Sequence, residues 1–307
     1  MRTDFYYDSC GAGKIHGCRW MPEGKPKAVL QIVHGIAEFV ERYDEFANYM
    51  ASLGYVVVAE DHMGHGQSIA GGSTQGYFHG GWFCAVDDTY QLMQDTMAAF
   101  PGLPYVLFGH SMGSFMARTI LAKYPDSGIA AAIICGTGWQ PRFALPALIK
   151  VVEGICKKTG EEQPSLMLQG MIFGGYNKRI SHPRTPTDWL TRDEAIVDAY
   201  NAHLLCGFVP ACGLLRDMTK GIYYVEQEKN LKNMKKNLPV FFIAGAEDPV
   251  GPYGKGVEQA ANAFKKAGMI NVTLKLYPDC RHEILNELNR QEVFQDICQW
   301  LAPYIGE

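Results

Sequence analysis

Gly109-His110-Ser111-Met112-Gly113 sets a serine between glycines, after an apolar run (105–111) and before an amphipathic stretch from Met112 to Tyr124. A strand that turns sharply into a helix here exposes the serine hydroxyl above a sheet, and small neighbours permit the turn. The helix N-terminus then aims N–H groups and a positive dipole end at any oxyanion formed nearby. A serine hydroxyl attacks only when a base takes its proton and a third group orients that base. Such an elbow carries the order Ser…Asp/Glu…His, each partner following a later strand. Glu247 and Asp248, in IAGAEDPVG, follow the apolar run 238–245, and His282, in YPDCRHEILNE, follows 272–278. Of nine histidines only His203 and His282 lie beyond residue 200. His282 is therefore the expected base. Asp248 is the expected orienting group, since a short side chain at a loop tip can hold one imidazole tautomer. Asp279, three residues before His282, reads as a turn former.

Charge stabilisation is the other half of such chemistry. His34-Gly35-Ile36 ends the apolar run 28–35, where a backbone N–H can face the nucleophile. The oxyanion donors are expected to be the N–H groups of Ile36 and Met112. Asp61 to Ser68, DHMGHGQS, ends another run. Its histidines and Asp61 raise the question of a metal, but no further ligands arrive at metal-like spacing. Support of the oxyanion loop is the expected role, with no metal and no cofactor.

These residues need a frame that collects strand ends. Apolar runs at 28–35, 55–62, 105–111, 130–136, 238–245 and 272–278 alternate with helical stretches near 43–53, 83–100, 112–124 and 284–301. Continuous rather than alternating apolar strands imply burial on both faces, hence an α/β protein with a mostly parallel sheet flanked by helices. DFYYDS and KIHGCRW around GAG predict an antiparallel hairpin at the sheet edge. The rhythm stops between Trp139 and Leu215, where no strong strand appears. The expected organisation is a core of residues 1–138 and 216–307 with an inserted, mainly helical cap at 139–215. Within it, Phe143, Leu145 and Leu148 of FALPALIKVV are candidate substrate-binding residues, and the same segment is a candidate for peripheral membrane contact. Lysines 229, 232, 235 and 236 read as a solvated helix face.

Composition bounds the role. The 307 residues are 47% hydrophobic and 20% charged, with a formal charge of −4. That balance gives no basic field for nucleic acid. No apolar run reaches the length of a membrane-spanning helix, and the N-terminus lacks a secretory apolar segment. Nine cysteines without a CxxC pair read as free thiols in a reducing cytoplasm.

HGIAEFVERY, DHMGHGQS, GHSMGS, GAEDPVG and YPDCRHEILNE, in that order, resemble the monoacylglycerol lipase and lysophospholipase branch of the α/β-hydrolase family. DWLTRDEAIVDAY…LLCGF resembles bacterial lysophospholipase-like members more loosely. The resemblance implies the α/β-hydrolase fold, a Ser111–Asp248–His282 triad with Ile36 and Met112 as oxyanion donors, and hydrolysis of a single-acyl lipid ester. Ile36 and Phe39 depart from the small and polar residues of close relatives, which bears on specificity rather than chemistry. Short-chain or hydroxycinnamoyl esters are the competing substrates. A non-catalytic receptor for a hydrophobic ligand is the competing class, and it would have no need of a complete triad.

Overall fold

The computed structural model describes residues 1–140 and 144–306. β1 (Arg2–Asp8) and β2 (Lys14–Trp20) form the expected antiparallel hairpin, in register from Arg2 opposite Trp20 to Asp8 opposite Lys14. β3 (Ala28–Val33), α1 (Asp44–Ser52), β4 (Tyr55–Glu60), α2 (Gly81–Ala99), β5 (Tyr105–His110), α3 (Met112–Lys123) and β6 (Ile129–Cys135) then alternate strictly. Helices follow, with no strand between them among the described residues: α4 (Leu145–Thr159), α5 (Leu166–Phe173), α6 (Glu194–Ala202), α7 (Cys212–Val225) and α8 (Glu228–Asn233). β7 (Val240–Gly245), α9 (Lys255–Lys266), β8 (Val272–Tyr277) and α10 (Arg290–Leu301) complete the chain. The eight strands make one sheet in the order β1-β2-β4-β3-β5-β6-β7-β8. β1/β2 and β2/β4 are antiparallel, and every other pair is parallel.

Strand residues alternate between two cores, because successive side chains leave opposite faces of a sheet. Leu30, Ile32, Val57 and Phe108 pack with Phe46 and Met50 of α1 and Phe294 and Ile297 of α10. Val29, Val33, Val58 and Leu107 pack on the other face with residues of α2, α3 and α9. Gln31 is a buried polar residue in the middle of β3, and it is satisfied: Nε2 donates to Thr89 O and Oε1 accepts from the Tyr105 hydroxyl. The strands β3 to β7 are therefore buried along almost their whole length, whereas β1 at one edge is largely exposed.

Side-chain caps start two helices of the long helical segment. Ser165 accepts the Leu168 N–H before α5, and Asp193 accepts the Ala195 and Ile196 N–H groups before α6. α7 runs through position 215, so the expected end of the cap falls inside a helix. Lys229, Lys232 and Lys235 are exposed, while Lys236 is half-buried and donates to Leu231 O and Lys232 O.

Two expectations are corrected. The last helix begins at Arg290 rather than near Ile284. Glu287 is buried and its carboxylate accepts from the Arg281 N–H and from Arg192, which holds the chain extended just before the helix. Nor are all nine thiols free. Cys10 in the β1–β2 turn is disulfide-bonded to Cys84 on α2, with Cα atoms 6.0 Å apart, and seven cysteines remain free. Asp88, one turn further along α2, accepts the Cys10 N–H and the Ser9 hydroxyl and so draws the turn onto the helix. No helix among the described residues is long and apolar enough to cross a membrane.

Candidate active site

Ser111 links β5 to α3 with φ 53 and ψ −121, a positive φ outside glycine that costs on the order of 1–3 kcal/mol. Hydrogen bonds over-determine it. The Ser111 N–H donates to Cys135 O at 3.0 Å, and Ser114 donates to Ser111 O through its N–H and its hydroxyl at 2.9 and 2.6 Å. The two glycines of the motif serve packing. A Cβ on Gly113 would lie 2.1 Å from Val33 O, and one on Gly109 would lie 2.4 Å from Gly113 O. Only bare backbone lets α3 start so close to the ends of β3 and β5.

β7 and β8 deliver the other two candidates from their C-terminal ends. His282 Nδ1 and Asp248 Oδ2 are 2.9 Å apart, with side chains 2% and 0% exposed. Asp248 Oδ1 accepts the Val250 N–H at 2.8 Å, which fixes the carboxylate. With the Nδ1 proton given to Asp248, Nε2 is left basic. Glu247 is exposed, and Asp279 is exposed with φ 59 on the turn after β8. The carboxylate at His282 Nδ1 is that of Asp248. His282 also lies between the rings of His110 and Trp189, at 4.7 and 5.1 Å.

The loop after β3 comes close to the serine. A Cβ on Gly35 would sit 3.1 Å from Ser111 Cβ, so glycine lets Ile36 reach the site. The Met112 N–H is in the first turn of α3, where no intrahelical acceptor exists. Neither the Ile36 nor the Met112 N–H donates to another group among the described residues. The DHMGHGQS loop braces this one. The rings of His34 and His62 stack at 4.0 Å, and the His62 N–H donates to His34 Nε2. Asp61 Oδ1 accepts the Val40 N–H. Burial, reinforced by neighbouring imidazoles, holds His34 well below the usual histidine range.

A buried charge network beneath the site escaped the sequence reading. Glu38 Oε1 accepts the Gly35 N–H at 2.6 Å and the Tyr43 hydroxyl at 2.9 Å. Arg42 donates to Glu38 and, through both terminal nitrogens, to Glu283. His110 has Nδ1 3.3 Å from Glu38 and Nε2 3.3 Å from His282 O. Burial opposes charge on His110, but the Glu38 hydrogen bond and charge outweigh it and raise its pKa. Burial likewise opposes ionisation of Glu38 and Glu283, while His110 and Arg42 hold both carboxyls below the usual range. The Arg42 guanidinium thus bridges two buried carboxylates, with the His110 imidazole hydrogen-bonded beside them. The one signal in the sequence was the run Glu38 to Tyr43, rich in charge at the end of an apolar strand.

Two cavities meet at the serine. One, of about 380 Å³, is lined by Ser111 and His282 together with Glu38, Gln169, Asn177 and Thr187. The other, of about 300 Å³, is lined by Ser111, Met112, Phe115, Leu145, Leu148 and Met218 among others. Ile36, Ser111, Phe173 and Trp189 border both. Leu145 and Leu148 thus reach the site, whereas Phe143 lies outside the described residues. Phe173, Tyr176 and Trp189, which also line these cavities, had no distinguishing pattern in the sequence.

This arrangement has counterparts. Residues 24–289 match the family model described as "Serine aminopeptidase, S33". The chain is 37% identical to a monoglyceride lipase homolog of monkeypox virus over 92% of each chain. It is 25% identical to a monoacylglycerol lipase of Mycolicibacterium smegmatis over 99% of this chain and 98% of that one. A thermostable carboxyl esterase from Bacillus coagulans, solved with glycerol, superposes with a TM-score of 0.92 at 30% identity, covering 99% of both chains. Matched along nearly its whole length to enzymes that split esters on this sheet, the chain belongs to the serine aminopeptidase, S33 family of α/β-hydrolases and is a serine hydrolase of its monoacylglycerol-lipase-like, ester-cleaving branch.

Proposed function

We propose that the protein hydrolyses the ester of a single-acyl lipid, preferring a monoacylglycerol, through an acyl-enzyme on Ser111. His282 takes the Ser111 proton as Oγ attacks the ester carbon, with Asp248 holding the imidazole. The N–H groups of Ile36 and Met112 receive the oxyanion. Collapse breaks the ester C–O bond, and His282 returns the proton to the leaving alkoxide. Water, deprotonated by His282, then attacks the acyl-enzyme and frees the fatty acid.

The observation that carries this reading is the contrast between the two cavities at Ser111. Both are lined mainly by apolar side chains; the smaller one, with Phe115, Leu145, Leu148 and Met218, suits a fatty chain, and the larger one adds the amides of Gln169 and Asn177, the Thr187 hydroxyl and the carboxylates of Glu38 and Glu283 for an alcohol. No lysine or arginine lines the larger cavity among the described residues, and Glu38 and Glu283 border it. A neutral glycerol fits that lining better than an anionic phosphodiester, which places a lysophospholipid second. Glycerol in the Bacillus coagulans esterase is consistent with such a headgroup. Residues 139–215 act as a cap in this reading. Val151, Leu166, Met167 and Met171, exposed on α4 and α5, would meet a lipid surface while the body of the protein stays in the cytoplasm.

The test is kcat/KM across monoacylglycerols, lysophospholipids, acetyl esters and hydroxycinnamoyl esters. A maximum at a medium- or long-chain monoacylglycerol is expected. A maximum at acetate or at an aromatic ester overturns the lipid reading. Cosedimentation with lipid vesicles, lost when Leu166 and Met167 become serine, checks the surface contact.

A further inference from the structure

We propose that Asp4, His16 and Cys18 form a binding site for a thiophilic divalent metal ion, zinc by preference, that ties the exposed edge strand β1 to the sheet. Asp4 stands opposite Cys18 in the β1–β2 register, and His16 lies two residues from Cys18, on the same face of β2. Their ligand atoms are already gathered. Asp4 Oδ1 is 3.1 Å from His16 Nε2 and 3.3 Å from Cys18 Sγ, and Cys18 Sγ is 3.9 Å from His16 Nε2. Tetrahedral zinc, with bonds of about 2.0–2.3 Å, spaces such atoms about 3.3–3.6 Å apart. Shifts of a few tenths of an ångström close the set.

The surroundings are those of a metal-bound imidazole. His16 Nδ1 is 2.7 Å from Asp61 Oδ2, and Asp61 is itself held by the Val40 and Gln67 N–H groups at 2.8 and 2.9 Å. A carboxylate on the far nitrogen fixes the tautomer and leaves the other nitrogen as a ligand. Here that Nε2 lone pair faces a carboxylate oxygen. Two acceptors at that distance need a cation between them, a proton or a metal ion. The thiol of Cys18 as a third ligand favours a soft ion, since nitrogen, sulfur and oxygen donors together suit zinc rather than calcium or magnesium. A thiolate and the Asp4 carboxylate would neutralise its charge. His16 and Cys18 are fully buried, whereas Asp4 is exposed and provides both the entry path and the solvent side for a fourth, water ligand. Arg2, the nearby cation, is engaged by Glu41 and Asp44. The linear sequence hides the set, because His16 and Cys18 look like ordinary strand positions and Asp4 lies on another strand.

Cobalt(II) and zinc titrations of the full-length, thiol-reduced protein test this. The first equivalent of cobalt should produce a thiolate-to-cobalt charge-transfer band, zinc should displace it, and zinc should raise the melting temperature. Cys18→Ser should abolish the band. Asp4→Asn, at an exposed position that does not endanger folding, should weaken zinc binding tenfold or more. Cys10→Ser should change neither. Absence of the band overturns the proposal, as does a band that survives Cys18→Ser or is lost in Cys10→Ser. Unchanged zinc affinity in Asp4→Asn overturns it too, leaving a proton alone between His16 and Asp4.

Discussion

Arg42 and Glu283 are joined by two parallel hydrogen bonds, 2.7 and 2.6 Å long, across a separation of 241 residues. The pair is buried and lies next to the candidate site at both ends. Arg42 follows the loop that carries Ile36, and Glu283 is the residue after His282. Through it the Gly35–Ile36 loop and the His282 loop are fastened to each other. Glu38, held by the same guanidinium, bonds the Gly35 N–H and completes the link.

Breaking that pair should cost stability and geometry together. Arg42→Ala leaves two buried carboxylates with one fewer cation, and removal of one partner of a buried pair costs about 3–5 kcal/mol. Denaturant unfolding should show that loss, and kcat should fall because the two loops are no longer held in register. In a cycle with Glu283→Gln the two changes should be strongly non-additive. An Arg42→Ala protein of parental stability would refute the network.

Ser111→Ala should lower kcat by about 10⁴-fold or more and abolish fluorophosphonate labelling. His282→Ala should be nearly as damaging. The double variant should be little worse than either, since the residues act as a unit. Turnover of Ser111→Ala at the parental rate would sink the acyl-enzyme mechanism.

Asp248→Asn should keep the fold and lose most activity, because an amide at Oδ2 favours the wrong imidazole tautomer. Asp279→Asn, on an exposed turn, should behave like the parent. The comparison of kcat for the two variants decides the orienting residue, and a larger effect at Asp279 would displace Asp248 from that role.

Leu145 and Leu148 line the apolar cavity. Each methylene buried there contributes about 0.8 kcal/mol, so four contribute about 3 kcal/mol, or roughly two powers of ten in kcat/KM. Replacing both leucines with serine should flatten the dependence on chain length and leave acetyl ester hydrolysis nearly intact. Leu145 is buried, so the melting temperature should fall as well, and the ratio of long-chain to acetyl kcat/KM is the quantity to read. An unchanged ratio would remove this cavity as the acyl site.

His65 is buried among Phe78, Phe208 and the other loop histidines, and burial lowers its pKa from 6.5 to about 4. Between those values the unfolded chain binds a proton that the folded chain does not. Stability contributed by neutral His65 is therefore full above pH 6.5 and is lost as pH falls toward 4, by about 3 kcal/mol. Unfolding free energies of the parent and of His65→Leu, measured across that window, should converge as the pH drops. Parallel curves would mean that His65 does not titrate there.

Much of the candidate site was readable from the chain alone because its signals are local. The elbow at Ser111 is a strand, a tight turn and a helix in one unbroken stretch, 105–123. Asp248 and His282 each follow an apolar strand, and a parallel sheet brings the C-terminal ends of its strands to one edge. The sheet itself was legible for the same reason, since burial on both faces writes continuous apolar runs into β3 to β7.

What the sequence could not declare depends on which distant segments become neighbours. Arg42 meets Glu283, Cys10 meets Cys84 and Asp4 meets His16 and Cys18 through strand order and register, which no window of residues contains. The division of the site into two cavities arises in the same way, from α4, α5 and α7 settling over the strand ends. The types of residue at the candidate site are set by local composition. Their partners, their burial and the shape of the space around them are set by long-range packing, so the tertiary structure alone decided them.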